Sequence, residues 1–432
     1  MDWLAHQGAV FDEAYAVSPV CSPARASMFT GRMPSQHGVH DFLSESPDFY
    51  YPWLENEVLL STLLQSAGYR TGLVGKWHAT TDSSQPQRGF DYWFSYDVAP
   101  AGWQNQYQHQ GKVYFSEQGN KTTTEGFQSE ALTDKAIEFI KRGKQEPFFL
   151  FLGYVDTHAP FENQPADLVD PLLQKELTPF APEPLSTVDP RGSINGIPKD
   201  HHQQLAQYYA GIEMMDQQIG RILEYLRHNQ ILEHTLIIYT SDHGHMNGQH
   251  GLYGKGNATR PQNFYQESIL VPLTMTWLAR VTPGHRYSQP VGTCDLFHTI
   301  LETAQITIPP FKAVAINSPG QSVFRFLDQS DKTWPAYKFC EMGNARMIAS
   351  KEFKYIMRFP PLVQGGVGEL YDLTNDPDER HNLIEAPKYQ QELQTLRENL
   401  NHYFEKYSEE QHSGKNWVTQ PPANGHEQWR NH

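Results

Sequence analysis

Cysteine is scarce in this chain: 432 residues hold only Cys21, Cys294 and Cys340. Three are too few for a disulfide framework. Clusters of lysine and arginine are absent, and the formal charge is −15, from 34 basic and 49 acidic side chains. No basic patch of the kind that nucleic-acid binding leaves is present, so no nucleic acid is expected as a partner. An anionic small substrate stays open, because local cations in a cleft override the net sign. No apolar run approaches the roughly 20 residues of a membrane helix, and no membrane partner is expected. The opening Met1-Asp2-Trp3-Leu4-Ala5 lacks the basic and apolar regions of a secretory signal, so the chain as written reads as cytoplasmic. There is no internal repeat, and Gly365-Gly366-x-Gly368 is loop punctuation because no strand–helix unit frames it.

What is present suits a globular chain, with 38% apolar and 12% aromatic residues. The length accommodates one large and one small domain. Residues 1 to 8 read as a short amphipathic helix and 9 to 16 as an extended segment. Helical spacing marks 56 to 67, 129 to 142, 201 to 228 and 293 to 304. Continuous apolar runs mark strands at 69 to 74, 147 to 155, 235 to 240 and 271 to 277. Residues 80 to 128, rich in Gln, Gly and aromatics, read as long loops, and the Pro-rich stretch 160 to 200 as irregular. Strands that each follow a helix and end in polar residues predict an α/β fold with a mostly parallel, doubly wound sheet sandwiched by helices. Ligands bind such sheets at the carboxyl ends of the strands. From about residue 335 a short antiparallel meander, 346 to 350, 353 to 358 and 369 to 373, is covered by a helix at 387 to 406. The expected division is a catalytic domain at 1 to 334, a C-terminal α+β subdomain at 335 to 410, and a frayed polar tail at 411 to 432.

The chain is organised around Val20-Cys21-Ser22-Pro23-Ala24-Arg25-Ala26-Ser27. Pro23 suits a first helical turn, which puts Cys21 at a helix N-terminus, where backbone donors and the dipole favour an anion. Arg25 adds a permanent positive charge. A thiol placed there would be acidic and reactive; the alternative is a small buried apolar residue.

Polar groups gather at the strand ends. Lys76 and His78, two residues apart, can face one cleft as a cation and an acid–base group. His158 directly follows an apolar strand, and Lys255 offers a second cation. Asp242-His243 is a plausible pair of ligands for a divalent cation or, alternatively, a polar turn. The whole set suits displacement at a tetrahedral oxyanion centre, phosphorus or sulfur.

Cys21-x-Pro23-x-Arg25 with Thr30-Gly31-Arg32 resembles the modification site of the type I sulfatases, within the alkaline phosphatase superfamily. The resemblance extends in order through Gly75-Lys76-Trp77-His78, Asp156-Thr157-His158, Ser241-Asp242-His243-Gly244 and Gly254-Lys255-Gly256 to Glu369-Leu370-Tyr371-Asp372-Leu373. It implies an alkaline-phosphatase-like fold and a sulfatase hydrolysing a sulfate ester on a small molecule or carbohydrate. Cys21 would be converted to formylglycine by a formylglycine-generating enzyme, and its hydrate would be the nucleophile. Arg25 and Lys76 would steady that hydrate, and His78 would promote sulfate release. His158 and Lys255 would bind the sulfate, with His158 protonating the leaving alcohol. Asp242 and His243 would supply half of a calcium site, with magnesium as the alternative ion. His245 and Arg260, with the aromatic loops 91 to 128, would line a sugar subsite. The rivals are a phosphonate monoester or phosphodiester hydrolase and an inactive relative that only binds sulfated glycans.

Sulfatases normally open on a buried strand ending in Asp-Asp, which carries further metal carboxylates. Residues 1 to 16 resemble the helix and strand after it, and Asp2 and Asp12 are no replacement. The expectation is that Met1 is internal and that roughly 20 to 30 upstream residues precede it. Any signal they carry would make the protein periplasmic or secreted.

Overall fold

A computed structural model describes residues 1–100, 102–143, 146–177, 198–327, 333–360 and 368–425. Phe148–Gly153 is apolar on both faces and pairs in parallel with Arg70–Gly75, which pairs in parallel with Tyr92–Tyr96. The hairpin Val113–Glu117 and Asn120–Thr124 adds two antiparallel strands and completes a five-stranded sheet. A second sheet runs in the order His285–Tyr287, Ala9–Phe11, Leu273–Thr276, Ile237–Thr240, with Leu273–Thr276 antiparallel to both neighbours. The helices Gln128–Arg142 and His201–His228 share a core with the first sheet through Leu132, Phe139, Ile140, Leu226 and Phe94.

The α/β class, with its C-terminal antiparallel sheet and covering helix, is as expected. The loop reading of 80 to 128 requires correction, since three strands lie there. Each is five residues long, and Tyr92–Tyr96 is buried throughout, so it has no polar–apolar alternation to read. The irregular reading of 160 to 200 misses the helix Ala166–Leu173, whereas 178 to 197 lie outside the described residues. Most of the Gly365-Gly366-x-Gly368 loop, through residue 367, also lies outside them.

The C-terminal meander has one more strand than expected, Lys338–Met342, ahead of Ala345–Ala349, Phe353–Arg358 and Gly368–Asp372. The helix Gln390–Lys406 lays Leu393, Leu396, Leu400 and Phe404, an apolar stripe at helical spacing, over this sheet. Its other face packs on the Cys21 region: Cys340, Met342, Met347 and Ile356 share a core with Val20 and Cys21. The tail is not frayed up to residue 425. Trp417 is 1% exposed within that core, and Asn424 Nδ2 donates to the Phe42 carbonyl at 2.7 Å. Isolated apolar residues in a polar stretch carry no periodicity, so this docking leaves no local signal.

The edge strands of the two sheets, Phe148–Gly153 and Ile237–Thr240, both face a cleft of about 2570 Å³. Leu150, Leu152 and Ile238 line it and stay half-buried, unlike the fully buried Leu73 and Val74 of the neighbouring strand. The polar motifs that follow the carboxyl ends of these strands, His158 and Asp242-His243, line the same cleft. Among the described residues no helix is long and apolar enough to cross a membrane.

Candidate active site

Cys21 is the first residue of the helix Cys21–Thr30, with Pro23 in its first turn as the sequence predicts. Gly31 ends the helix in the left-handed conformation, its N–H bonded to the Ser27 carbonyl. The thiol is buried. Burial pushes its pKa up, but the charges of Lys255, Lys76 and His243 outweigh this and hold it well below the usual thiol range. Lys255 Nζ donates to Cys21 Sγ at 2.9 Å. The two other cysteines are also buried, and there burial wins and raises the thiol pKa.

Two glycines bring these residues together. Gly75 sits at φ +96°, where a Cβ would lie 2.3 Å from the Gly153 carbonyl oxygen. This close crossing lets Lys76 N donate to the same oxygen at 2.9 Å and sends the Lys76 side chain into the cleft. At Gly256 a Cβ would meet the Pro19 ring at 2.4 Å, and Gly256 N donates to the Pro19 carbonyl at 3.1 Å. That contact carries Lys255 across 234 residues of sequence to Cys21.

Arg25 locks the centre. Its Nε donates to Asp242 Oδ2 and one terminal nitrogen to the Lys76 carbonyl, both at 2.7 Å. Burial pushes the Asp242 carboxyl up, but His243 and Arg25 hold it well below the carboxylate range. Lys76 Nζ donates to the Tyr107 hydroxyl at 3.1 Å, and burial lowers the Lys76 pKa. The Tyr107 ring stacks on His158 with centroids 3.8 Å apart. His158 Nδ1 lies 2.6 Å from the Ala159 carbonyl oxygen, so Nδ1 bears the proton and Nε2 receives Lys255 Nζ at 3.2 Å. Burial, with Lys255 beside it, pushes His158 down to about 3. His78 stands at φ +50°; its Nε2 donates to the Leu43 carbonyl at 2.8 Å, leaving Nδ1 unprotonated, and burial lowers its pKa.

Cys21 Sγ, an Asp242 oxygen and a His243 nitrogen all lie within 4.8 Å of one another. Asp242 Oδ2 is engaged by Arg25, Oδ1 accepts from His243 N at 3.0 Å, and His243 Nδ1 bonds the Gly244 carbonyl; the second lone pair of Oδ1 and His243 Nε2, 3.6 Å apart, are what a cation could use. Calcium takes six to eight ligands, mainly oxygen. Of the donors here only the Asp242 carboxylate is of that kind, so Asp242 with His243 would supply part of such a shell and not all of it.

All six catalytic candidates, Cys21, Arg25, Lys76, His78, His158 and Lys255, therefore line one cleft with Asp242 and His243. His245 and Arg260 line it as well. His245 Nε2 is buried without a hydrogen bond, and its ring meets Phe161 edge-on at 5.3 Å. Of the aromatic stretch 91 to 128, Trp93, Phe94 and Phe115 are core, whereas Gln104, Gln106, Tyr107 and Gln110 face the cleft. Tyr107 was legible only as one of many loop aromatics. Glu45, which also lines the cleft, left no motif at all.

The sulfatase family matches residues 1–306, and the C-terminal family of N-sulphoglucosamine sulphohydrolase matches residues 248–406. The N-acetylglucosamine-6-O-sulfatase of Bacteroides thetaiotaomicron is 27% identical, over 92% of this chain and 80% of that protein. A solved structure in complex with its substrate D-glucosamine-2-N,6-O-disulfate shares the fold at TM-score 0.75 and 22% identity, over 94% of this chain and 92% of the other. A phosphonate monoester hydrolase from Silicibacter pomeroyi shares it at TM-score 0.68 and 18% identity, over 94% and 90%. With a family match over 306 residues and the family's motifs gathered at one cleft, the chain belongs to the sulfatase family, the sulfuric ester hydrolases.

Proposed function

We propose that the ester hydrolysed is carried by a saccharide and that Cys21, converted to formylglycine, becomes the nucleophilic position. The observation that carries this reading is Cys21 at a helix N-terminus with Lys255 at 2.9 Å and Arg25, Lys76 and His158 around it. The saccharide part is supported by the amino-sugar esters named for the relatives and by the amide-rich lining, Gln104, Gln106, Gln110 and Asn257.

Formylglycine supplies a hydrated aldehyde oxygen as nucleophile, and a calcium ion held by Asp242 and His243 supplies charge that offsets the sulfate oxygens. This chain's own side chains do the rest. Lys255, Lys76 and His158 bind the sulfate, their cationic surroundings favouring charge that builds on its oxygens. In the resting site His158 is neutral and accepts from Lys255. A bound anion offsets the neighbouring cations and raises the His158 pKa, so Nε2 takes up a proton and passes it to the leaving alcohol. His78, its Nε2 fixed on Leu43, presents unprotonated Nδ1 as the base that promotes sulfate release.

The test is parallel turnover of sulfated amino sugars and aryl phosphonate esters, with mass spectrometry of the peptide ending at Arg25 from natural-source protein. No Lys or Arg lies between Met1 and Arg25, so this one peptide reports both whether Met1 is internal and the state of Cys21. Sulfate ester turnover lost in Cys21→Ala is the expected result. Preference for the phosphonate, or an unconverted thiol in active protein, would overturn the reading.

A further inference from the structure

Glu45 lines the same cleft as Cys21, Lys76 and Tyr107 and takes no part in the steps above. Its loop is held rigidly. Leu43 N donates to Ser22 Oγ at 2.9 Å in the Cys21 helix, and the Leu43 carbonyl receives His78 Nε2 at 2.8 Å. Ser44 N donates to the Ala423 carbonyl at 2.9 Å, and Asn424 Nδ2 donates to the Phe42 carbonyl at 2.7 Å, so the docked tail braces it from outside. The carboxyl itself is half satisfied. Ser83 Oγ donates to Oε1 at 2.5 Å, whereas Oε2 is shielded from bulk water and has no hydrogen-bond partner among the described residues. Leaving such an oxygen unpaired is costly, and beside a binding cleft a donor on the bound molecule is a partner that would satisfy it. Burial and Asp82 push Glu45 up to about 7, while Ser83 and Lys76 oppose this, so Oε2 acts as an acceptor in the carboxylate form, which prevails above that pH.

We infer that Glu45 is the acceptor for a hydrogen-bond donor, hydroxyl or ammonium, on the sugar ring that carries the sulfate. It thereby selects sulfated saccharides over simple aryl sulfates. The inference rests on the sulfatase reading and deepens it by naming the group that recognises the ring. Arg25, Lys76 and Lys255 carry donors only and cannot accept from the substrate; a ring donor needs an acceptor, and Oε2 has no hydrogen-bond partner among the described residues.

The experiment uses the full chain with converted Cys21, as wild type, Glu45→Gln and Glu45→Ala. Turnover of glucosamine 6-sulfate, N-acetylglucosamine 6-sulfate and 4-nitrophenyl sulfate is compared, with thermal unfolding as the check on folding. For Glu45→Ala, kcat/KM on the sugars is expected to fall roughly 10- to 100-fold more than on the aryl ester, mainly through KM. Glu45→Gln, whose amide oxygen still accepts, should retain part of the difference. A loss confined to the free amine identifies the donor as ammonium, and a loss on both sugars identifies a hydroxyl. Equal losses on all three esters, or none on the sugars, overturn the inference, since a charge effect on Lys76 or a folding defect would strike every substrate alike. If converted wild type turns over no sulfate ester, the reaction reading fails instead. Calorimetric binding of the same sugars to Cys21→Ser protein then decides: about tenfold weaker binding in the Glu45→Ala background supports the inference, and unchanged binding overturns it.

Discussion

Replacing Lys255 by methionine keeps the aliphatic stem and removes the ammonium that lies 2.9 Å from Cys21 Sγ. At that separation Coulomb's law gives about 1.4 kcal/mol in bulk water and about 6 kcal/mol at the effective dielectric of a protein site. These bounds correspond to a rise of about 1 to 4 units in the Cys21 pKa. Lys76 and His243 remain to oppose the rise, so roughly 2 units is the expected size. Protein from a host that leaves Cys21 unconverted provides the assay: thiolate absorbance in the ultraviolet against pH. Cys294 and Cys340 are silent near neutrality, because burial raises both thiols. Wild-type protein should therefore be a thiolate at neutral pH, and Lys255→Met should titrate at a midpoint at least about one unit higher. Removing the same charge also lifts one of the pressures on His158, whose pKa should rise from about 3. A Cys21 midpoint that stays put or moves down would refute the assignment of Lys255 as the group that stabilises negative charge at Cys21.

Two stability predictions test how the C-terminal part supports this site. Lys354 and Glu379 form an ion pair at 2.6 Å with side chains 0% and 1% exposed, so Lys354→Met should cost about 3–5 kcal/mol in urea unfolding. Adding Glu379→Leu should recover most of that loss; an unaffected single variant would show that the pair is solvated. Trp417→Ala should cost about 3–5 kcal/mol if the tail is packed as found, and near zero if it frays; thermal unfolding distinguishes these outcomes.

Local and repetitive signals were readable without the structure. The 28-residue helix His201–His228 was legible from its spacing, and the Phe148–Gly153 strand from its unbroken apolar run. The placement of Cys21 at a helix start followed from Pro23 two residues on, and Lys76, His78, His158 and Asp242-His243 were legible as following the ends of strands. Residues 92 to 96, 113 to 117 and 120 to 124 were not legible, because five-residue strands within turn-rich sequence offer little periodicity.

The sequence by itself determined the elements with a repeating apolar pattern and the residue types able to act on an oxyanion, because helix spacing, helix capping and side-chain chemistry are local properties. Only the tertiary structure decided the strand order, the docking of Trp417, the stacking of Tyr107 on His158 and the presence of Glu45 at the cleft. The same holds for the meeting of Lys255 with Cys21 across 234 residues. Such contacts are set by which surfaces pack together and which backbones can approach, as at Gly75 and Gly256, and that information is spread over residues far apart in the chain.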